Sequence, residues 1–211
     1  MDLTLYHYVH CPFCVRVRLA LGYLALPWKS LVLPYDDEKT PVALTGKKML
    51  PIAVIDGKAM NESLEIIARI DSSKKLAGVI DPSLDQALQV VGEYVHSLVM
   101  PYWIWTPEFS ESSRQYFQKK KEIKRGPFEN LVKRRQEFEA PVNEWLTQHE
   151  SSLRPYWKSE RLSISDIALA AHLWGLHLLP NFTFPPKWHD YLQMIQAECR
   201  FNYLMDIGGQ Q

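Results

Sequence analysis

Apolar and polar residues alternate differently along the two parts of this chain. Up to about residue 75, short β-rich runs are separated by helical spacing. LTLYHY near the N-terminus reads as a strand, and VRVRLALGYL then carries apolar residues at helical intervals until Pro27 ends them. WKSLVL follows as a second strand, then LPYDDEKTPVALTGKK as a polar connection with one helical turn. LPIAVIDGKAM reads as two strands joined by Asp56-Gly57, the pair that suits a type I′ hairpin turn because both positions take positive φ. NESLEIIARIDSS closes the unit as a helix, with Asn61 or Ser63 as its N-cap.

Strand patterns stop near Asp81. DPSLDQALQVVGEYVHSLV places Asp81 at the cap and Pro82 in the first turn of a helix. A charged amphipathic stretch runs from about Ser112 to Glu150 with a break at Gly126-Pro127. LSISDIALAAHLWGLHLL opens with Ser163 and Asp166 at the spacing of a capping box and continues as an almost wholly apolar helix. KWHDYLQMIQAECRFNYL supplies the last helix. The expected fold class is therefore α/β plus all-α: a domain over residues 1–75, a linker at 76–81 and an all-helical domain over 82–211.

Composition narrows the function. The chain has 211 residues, 46% of them hydrophobic and 12% aromatic, enough for a substantial core. Lys plus Arg and Asp plus Glu each number 24, so no net charge draws the chain to nucleic acid or acidic lipid. The basic run of Lys119, Lys120, Lys121, Lys124 and Arg125 is interleaved with acidic residues and reads as a solvated helix face. No secretory signal or membrane-length apolar run is present, and the expected compartment is the cytoplasm.

Three cysteines in such a chain do not make a disulfide framework. Cys199 reads as a small buried hydrophobe near a helix end. Cys11 and Cys14 stand at the edge of the first helix, one turn apart on one face. That spacing allows a disulfide, which needs a Cα separation of about 4.4–6.8 Å. It also makes the sulfurs unlike: Cys11 faces the free N–H groups of the first turn, those of Phe13 and Cys14, while Cys14 packs beneath. The helix dipole contributes about 2 kcal/mol at most, so direct N–H to sulfur bonds are expected to supply the rest, with added charge from Arg16 and Arg18. A thiolate stabilised this way gains little speed in attack but leaves readily, which suits a site that accepts a thiol group and passes it on. A buried structural pair remains an alternative. So does zinc held by His7, His10, Cys11 and Cys14, although four ligands within eight residues make a poor tetrahedral cage. The two histidines are otherwise expected at a pocket rim.

Cys11-Pro12-Phe13-Cys14 after the first strand, Leu50-Pro51 before a hairpin and Glu62-Ser63 opening the next helix resemble the glutathione site of the thioredoxin-like superfamily. With an all-helical second half, the whole chain most resembles the glutaredoxin 2 family, bacterial two-domain glutaredoxins built like glutathione S-transferases. The resemblance implies a glutathione-dependent thiol-disulfide oxidoreductase with Cys11 as nucleophile and Cys14 as resolving thiol. It implies glutathione as reductant and substrate, no metal, and disulfide-containing or glutathionylated proteins as partners of a monomer. Pro12 and Phe13 would line the glutathione site. Pro51 would be cis, presenting the Leu50 backbone to the cysteinyl unit, and Glu62 and Ser63 would meet the γ-glutamyl end. Two positions depart from the commoner glutaredoxin pattern: Phe13 lacks the usual phenol oxygen, and Val9 stands where many small glutaredoxins have a basic residue. Lys47 or Lys48 could replace that charge. Met100 to Trp105 could wall a cleft between the halves or belong to the core. The rival reading is a cysteine-type glutathione transferase or dehydroascorbate reductase, which needs only Cys11; a non-catalytic binding protein on the same scaffold is a third.

Overall fold

The computed structural model describes residues 1–106 and 108–202. Four strands, β1 (Leu3–His7), β2 (Lys29–Val32), β3 (Ile52–Ile55) and β4 (Lys58–Met60), form one sheet in the order β2-β1-β3-β4. β1 is parallel to β2 and antiparallel to β3, and β3 and β4 form the hairpin. Asp56 and Gly57 have φ of 48° and 80°, so the dipeptide turns as its sequence dictates. A parallel pair needs a crossover, supplied by helix α1 (Pro12–Tyr23). α1 is covered on nearly every side, with Cys14 through Leu21 all buried, because it lies between the sheet, α3 (Ser63–Ile70) and the helical half.

Two local expectations shift. The polar connection holds a seven-residue helix, α2 (Lys39–Thr45), closed by Gly46 at φ 74°. The N-cap of α3 is neither Asn61 nor Ser63 but Glu62, at φ 70° and without a side-chain cap bond. β4 ends only two residues earlier, so the chain reverses at Glu62. Ser63 becomes the first helical residue, its hydroxyl 3.4 Å from Arg16 Nη1.

The remaining helices are α4 (Pro82–Trp103), α5 (Glu111–Arg125), α6 (Phe128–Lys133), α7 (Arg135–His149), α8 (Ile164–Leu173) and α9 (Pro186–Glu198). Asp81 caps α4 by accepting from Leu84 N–H at 3.0 Å, with Pro82 in the first turn, and Gly126 ends α5 at φ 78°. α8 is the buried axis of this half: all ten of its residues are covered, and it packs on both α1 and α4. Its capping box forms as expected, and Asp166 also accepts from Trp157 N–H at 2.7 Å and Tyr191 O–H at 2.9 Å. The expected last helix stops at Glu198; Cys199 lies buried at its end, and Tyr203 and Leu204 fall outside the described residues. A Cβ on Gly22 would come within 1.7 Å of the Cys199 carbonyl oxygen, so only glycine lets the end of α1 touch the end of α9. One apolar core therefore runs from the sheet through α1 into the helical half. Among the described residues no helix is long and apolar enough to cross a membrane.

Candidate functional site

α1 begins where the chain leaves β1, and Cys11 is its N-cap, with extended φ and ψ of −71° and 123°. Pro12 occupies the first turn, where its missing N–H leaves nothing unpaired. Cys11 is half-buried, whereas Cys14, one turn on, is fully covered and receives the Tyr8 N–H at 3.4 Å. Both thiols are free. The Cys11 thiol is lowered to about 6, chiefly by a hydrogen bond from the Cys14 thiol; burial opposes this, and the charge of His10 and the amides of Cys14 and Phe13 add to it. Burial pushes the Cys14 thiol well up, and its bond to Cys11 pushes it further. The asymmetry expected from spacing is present, but its leading cause differs. The cap sulfur makes no geometric cap bond with the first-turn amides, so the neighbouring S–H outweighs them.

Cys11 opens onto a cleft of about 390 Å³ between the two halves. Pro12, Phe13 and Leu50 line it beside the sulfur, and the Leu50-Pro51 peptide is cis. Phe13 is 46% exposed, with the Arg16 guanidinium 5.1 Å from its ring centre. Of the expected site residues, Cys11, Pro12, Phe13 and Leu50 line this cleft, while Cys14 and Pro51 are buried behind it. Glu62 and Ser63 do not line this cleft; Ser63 accepts from Arg16, which lines an adjoining cavity together with Phe13. Arg16 and Arg18 are both buried rather than turned to solvent.

The opposite wall corrects part of the sequence reading. Met100 and Trp103 face the cleft, settling that aromatic segment as wall and core together, whereas Trp105 is 70% exposed. Lys121, Lys124 and Arg125 also line the cleft rather than forming only a solvated face, because α5 lies along its mouth. Lys124 and Arg125 pair with Glu93 at 3.4 and 2.7 Å. Of the two candidate lysines before Leu50, Lys48 lines the cleft, 3.2 Å from Glu38 and 4.0 Å from the Tyr116 ring centre, while Lys47 is exposed. The interleaved signs that suggested a bland surface along α5 hide the fact that only one of its faces meets the cleft.

The histidines also depart from the expected rim. His7 is fully buried, bonded through Nε2 to Ser30 Oγ at 2.8 Å, and held neutral at about 3 by burial and by the charge of Arg18. His10 lines the cleft but turns its Nδ1 to Glu108. Each ring is thus bound to an oxygen partner, and among the described residues no three His, Cys, Asp or Glu side chains gather as a metal site would require. Tyr8 and Tyr35, which face the thiols, are pushed up chiefly by burial and keep their protons. A larger cavity of about 840 Å³ lies between α3 and the start of α4, lined by Leu64, Ile80 and Pro82; it contains no cysteine or histidine. The chemistry therefore belongs to the smaller cleft.

Comparison with known proteins places both halves. Residues 83–207 match the family model of the glutaredoxin 2 C-terminal domain, and residues 5–77 match that of the glutathione S-transferase N-terminal domain. Glutaredoxin 2 of Escherichia coli K12 is 29% identical over 97% of this chain and 99% of its own length. The crystal structure of glutaredoxin 2 from Salmonella typhimurium in complex with glutathione superposes with a TM-score of 0.88 at 31% identity, covering 97% of each chain. A glutathione S-transferase of Ceriporiopsis subvermispora, at 15% identity and a TM-score of 0.75 over 94% of this chain and 98% of its own, shares the fold. The N-terminal half is thus a thioredoxin-like domain with a mixed sheet, carried on a helical C-terminal half in the manner of the transferases.

Proposed function

The chain belongs to the glutaredoxin 2 family and is a glutathione-dependent thiol-disulfide oxidoreductase, and from that premise we propose how its residues do the work. Cys11, as thiolate, attacks the glutathione sulfur of a mixed disulfide. The S–S bond breaks, the protein partner departs as thiolate, and glutathione is left on Cys11. A second glutathione thiolate attacks that disulfide at the glutathione sulfur, releasing oxidised glutathione and restoring Cys11. With a protein disulfide, Cys11 attacks one sulfur and frees the other as thiolate; Cys14 then loses its proton and attacks the Cys11 sulfur, and the protein leaves with both thiols reduced. The Cys11–Cys14 bond that results is reduced by two glutathiones. The observation that carries this reading is the pair itself: a half-buried sulfur lowered to about 6 and open to the cleft, bonded to a fully buried thiol kept protonated.

Glutathione lies with its sulfur at Cys11 and its cysteinyl backbone along Leu50, beside Pro12, Phe13 and Pro51, in strand-like pairing. Lys48 takes the glycine carboxylate, in the role left open by Val9. The first-turn amides of α3 and the Ser63 hydroxyl receive the γ-glutamyl carboxylate, with Glu62 near its amino group. The protein works as a cytoplasmic monomer, domain 1–75 joined through 76–81 to domain 82–211, on disulfide-containing or glutathionylated proteins, without metal, nucleic acid or membrane. A transferase or dehydroascorbate reductase would need Cys11 alone; the thiol of Cys14 bonded to it favours disulfide exchange.

NADPH-coupled, glutathione-driven reduction of a small mixed disulfide tests the assignment. Activity is expected to vanish in Cys11→Ser and to persist in Cys14→Ser, because glutathione clears the mixed disulfide unaided. Retained activity in Cys11→Ser overturns the nucleophile; ascorbate formation or conjugation in place of disulfide reduction favours the transferase reading.

A further inference from the structure

A buried ion pair ties the redox loop to the helical half. Glu108 lies on the connection between α4 and α5, and its side chain is 1% exposed. Its Oε1 accepts from the His10 main-chain N–H at 3.2 Å and stands 3.1 Å from His10 Nδ1. A carboxylate only accepts, so Nδ1 carries the proton. Oε2 is buried without a hydrogen-bond partner. Burying a charge incompletely satisfied is costly, and a neutral amide or an apolar side chain could tie two segments together as well.

The ring it holds cannot turn. Tyr8, Tyr35, Trp103, Phe109 and Phe117 enclose it with centroids 5.0–5.7 Å away. His10 lines the cleft directly before Cys11, and its Nε2 has no hydrogen-bond partner among the described residues. The imidazole thus stands between a buried carboxylate and the cleft in which the sulfur opens.

We propose that Glu108 is a positioning residue of the redox site: its carboxylate fixes the His10 ring with Nδ1–H toward itself, so that the ring, and the charge it takes on protonation, stays beside the Cys11 thiolate. The helical half thereby sets the ionisation of a sulfur it does not carry. Electrostatics agree. His10 is the charge that lowers Cys11 after the Cys14 bond, and although burial raises the Glu108 carboxyl, the bond and charge of His10 bring it below the usual range. The other groups facing these two are Cys14 and Arg16 on α1, Tyr8 and Tyr35 on the loops after β1 and β2, His96 on α4 and Lys121 on α5.

The inference rests on Cys11 as the reacting thiol, and the test separates the two. The pH dependence of Cys11 alkylation by iodoacetamide, with the labelled peptide identified by mass, is measured for the natural protein, Glu108→Gln, Glu108→Asp, His10→Phe and the Glu108→Gln/His10→Phe double variant. Glu108→Gln is expected to raise the midpoint by about one pH unit, leaving about tenfold less thiolate at pH 5. Glu108→Asp should restore part of this, and the double variant should match His10→Phe alone. A natural midpoint in Glu108→Gln overturns the proposal, whatever happens to thermal stability. Should Glu108→Gln not fold, imidazole nitrogen spectra of the natural protein across pH decide: Nδ1 protonated throughout with Nε2 exchanging its proton as Cys11 ionises supports the proposal, and a bare Nδ1 or an Nε2 that never protonates overturns it. Activity surviving in Cys11→Ser would remove the nucleophile, while the alkylation midpoints would still report whether Glu108 acts on Cys11.

Discussion

The N-termini of α1 and α8 are both placed where two layers of the protein meet, and their polar groups are used in opposite ways. At α8, Asp166 accepts from the Ser163 N–H at 2.9 Å, the Ser163 hydroxyl, the Trp157 amide and Tyr191, so every oxygen lone pair faces a donor and nothing opens to solvent. At α1 the cap is a cysteine, its sulfur makes no cap bond, and it faces a cleft. One helix start is closed and structural; the other is left incomplete, and the incompleteness is what a substrate disulfide meets. A buried site in which all polar groups are matched stabilises the fold, whereas reactivity needs a group whose partners favour its charge without covering it.

Substitutions at each end sharpen this contrast. The largest effect is expected from Cys11→Ser, which should reduce disulfide reduction at least about a thousandfold, about 4 kcal/mol in the barrier, with an unchanged melting temperature; coupled turnover and calorimetry check both. Asp166→Ala should do the reverse. It strands the Ser163, Trp157 and Tyr191 donors and should cost about 3 kcal/mol in urea unfolding, while turnover per folded molecule stays native. Cys14→Ala removes the thiol that donates to Cys11, so the Cys11 midpoint should rise by about one unit, about 1.4 kcal/mol, in a thiolate absorbance titration. Smallest is Asp81→Ala at the start of α4, about 1 kcal/mol by denaturation. The Asp81 carboxyl is held at about 2, chiefly by the Ser83 hydroxyl, so its contribution should be present above about pH 4 and fade as pH falls toward 2.

The features legible in the sequence were those governed by local chemistry. Asp56-Gly57, Asp81-Pro82 and the Ser163-Asp166 box each act within a few residues, and each forms as read. The unequal burial of Cys11 and Cys14 likewise follows from one turn of helix. Contacts made across the chain were not legible. Ser63 yields the cap position to Glu62, and its hydroxyl instead meets Arg16, which is 47 residues away, while Lys121 reaches the cleft only because α5 crosses its mouth. His10 was assigned to a rim because its partner, Glu108, lies 98 residues on, in a segment without a motif. Charge patterns along α5 describe a helix surface but not which side another domain covers.

The most direct measurement is the alkylation rate of the fully reduced natural protein from pH 4 to 10, with each cysteine followed separately. Cys11 ionises at about 6, so its rate should climb through pH 6 and level off above about 7. Cys14 and Cys199, raised by burial, should stay nearly unlabelled throughout. A Cys11 midpoint near 8.5, the ordinary thiol value, or labelling of Cys14 alongside it, would contradict the asymmetry on which the account stands.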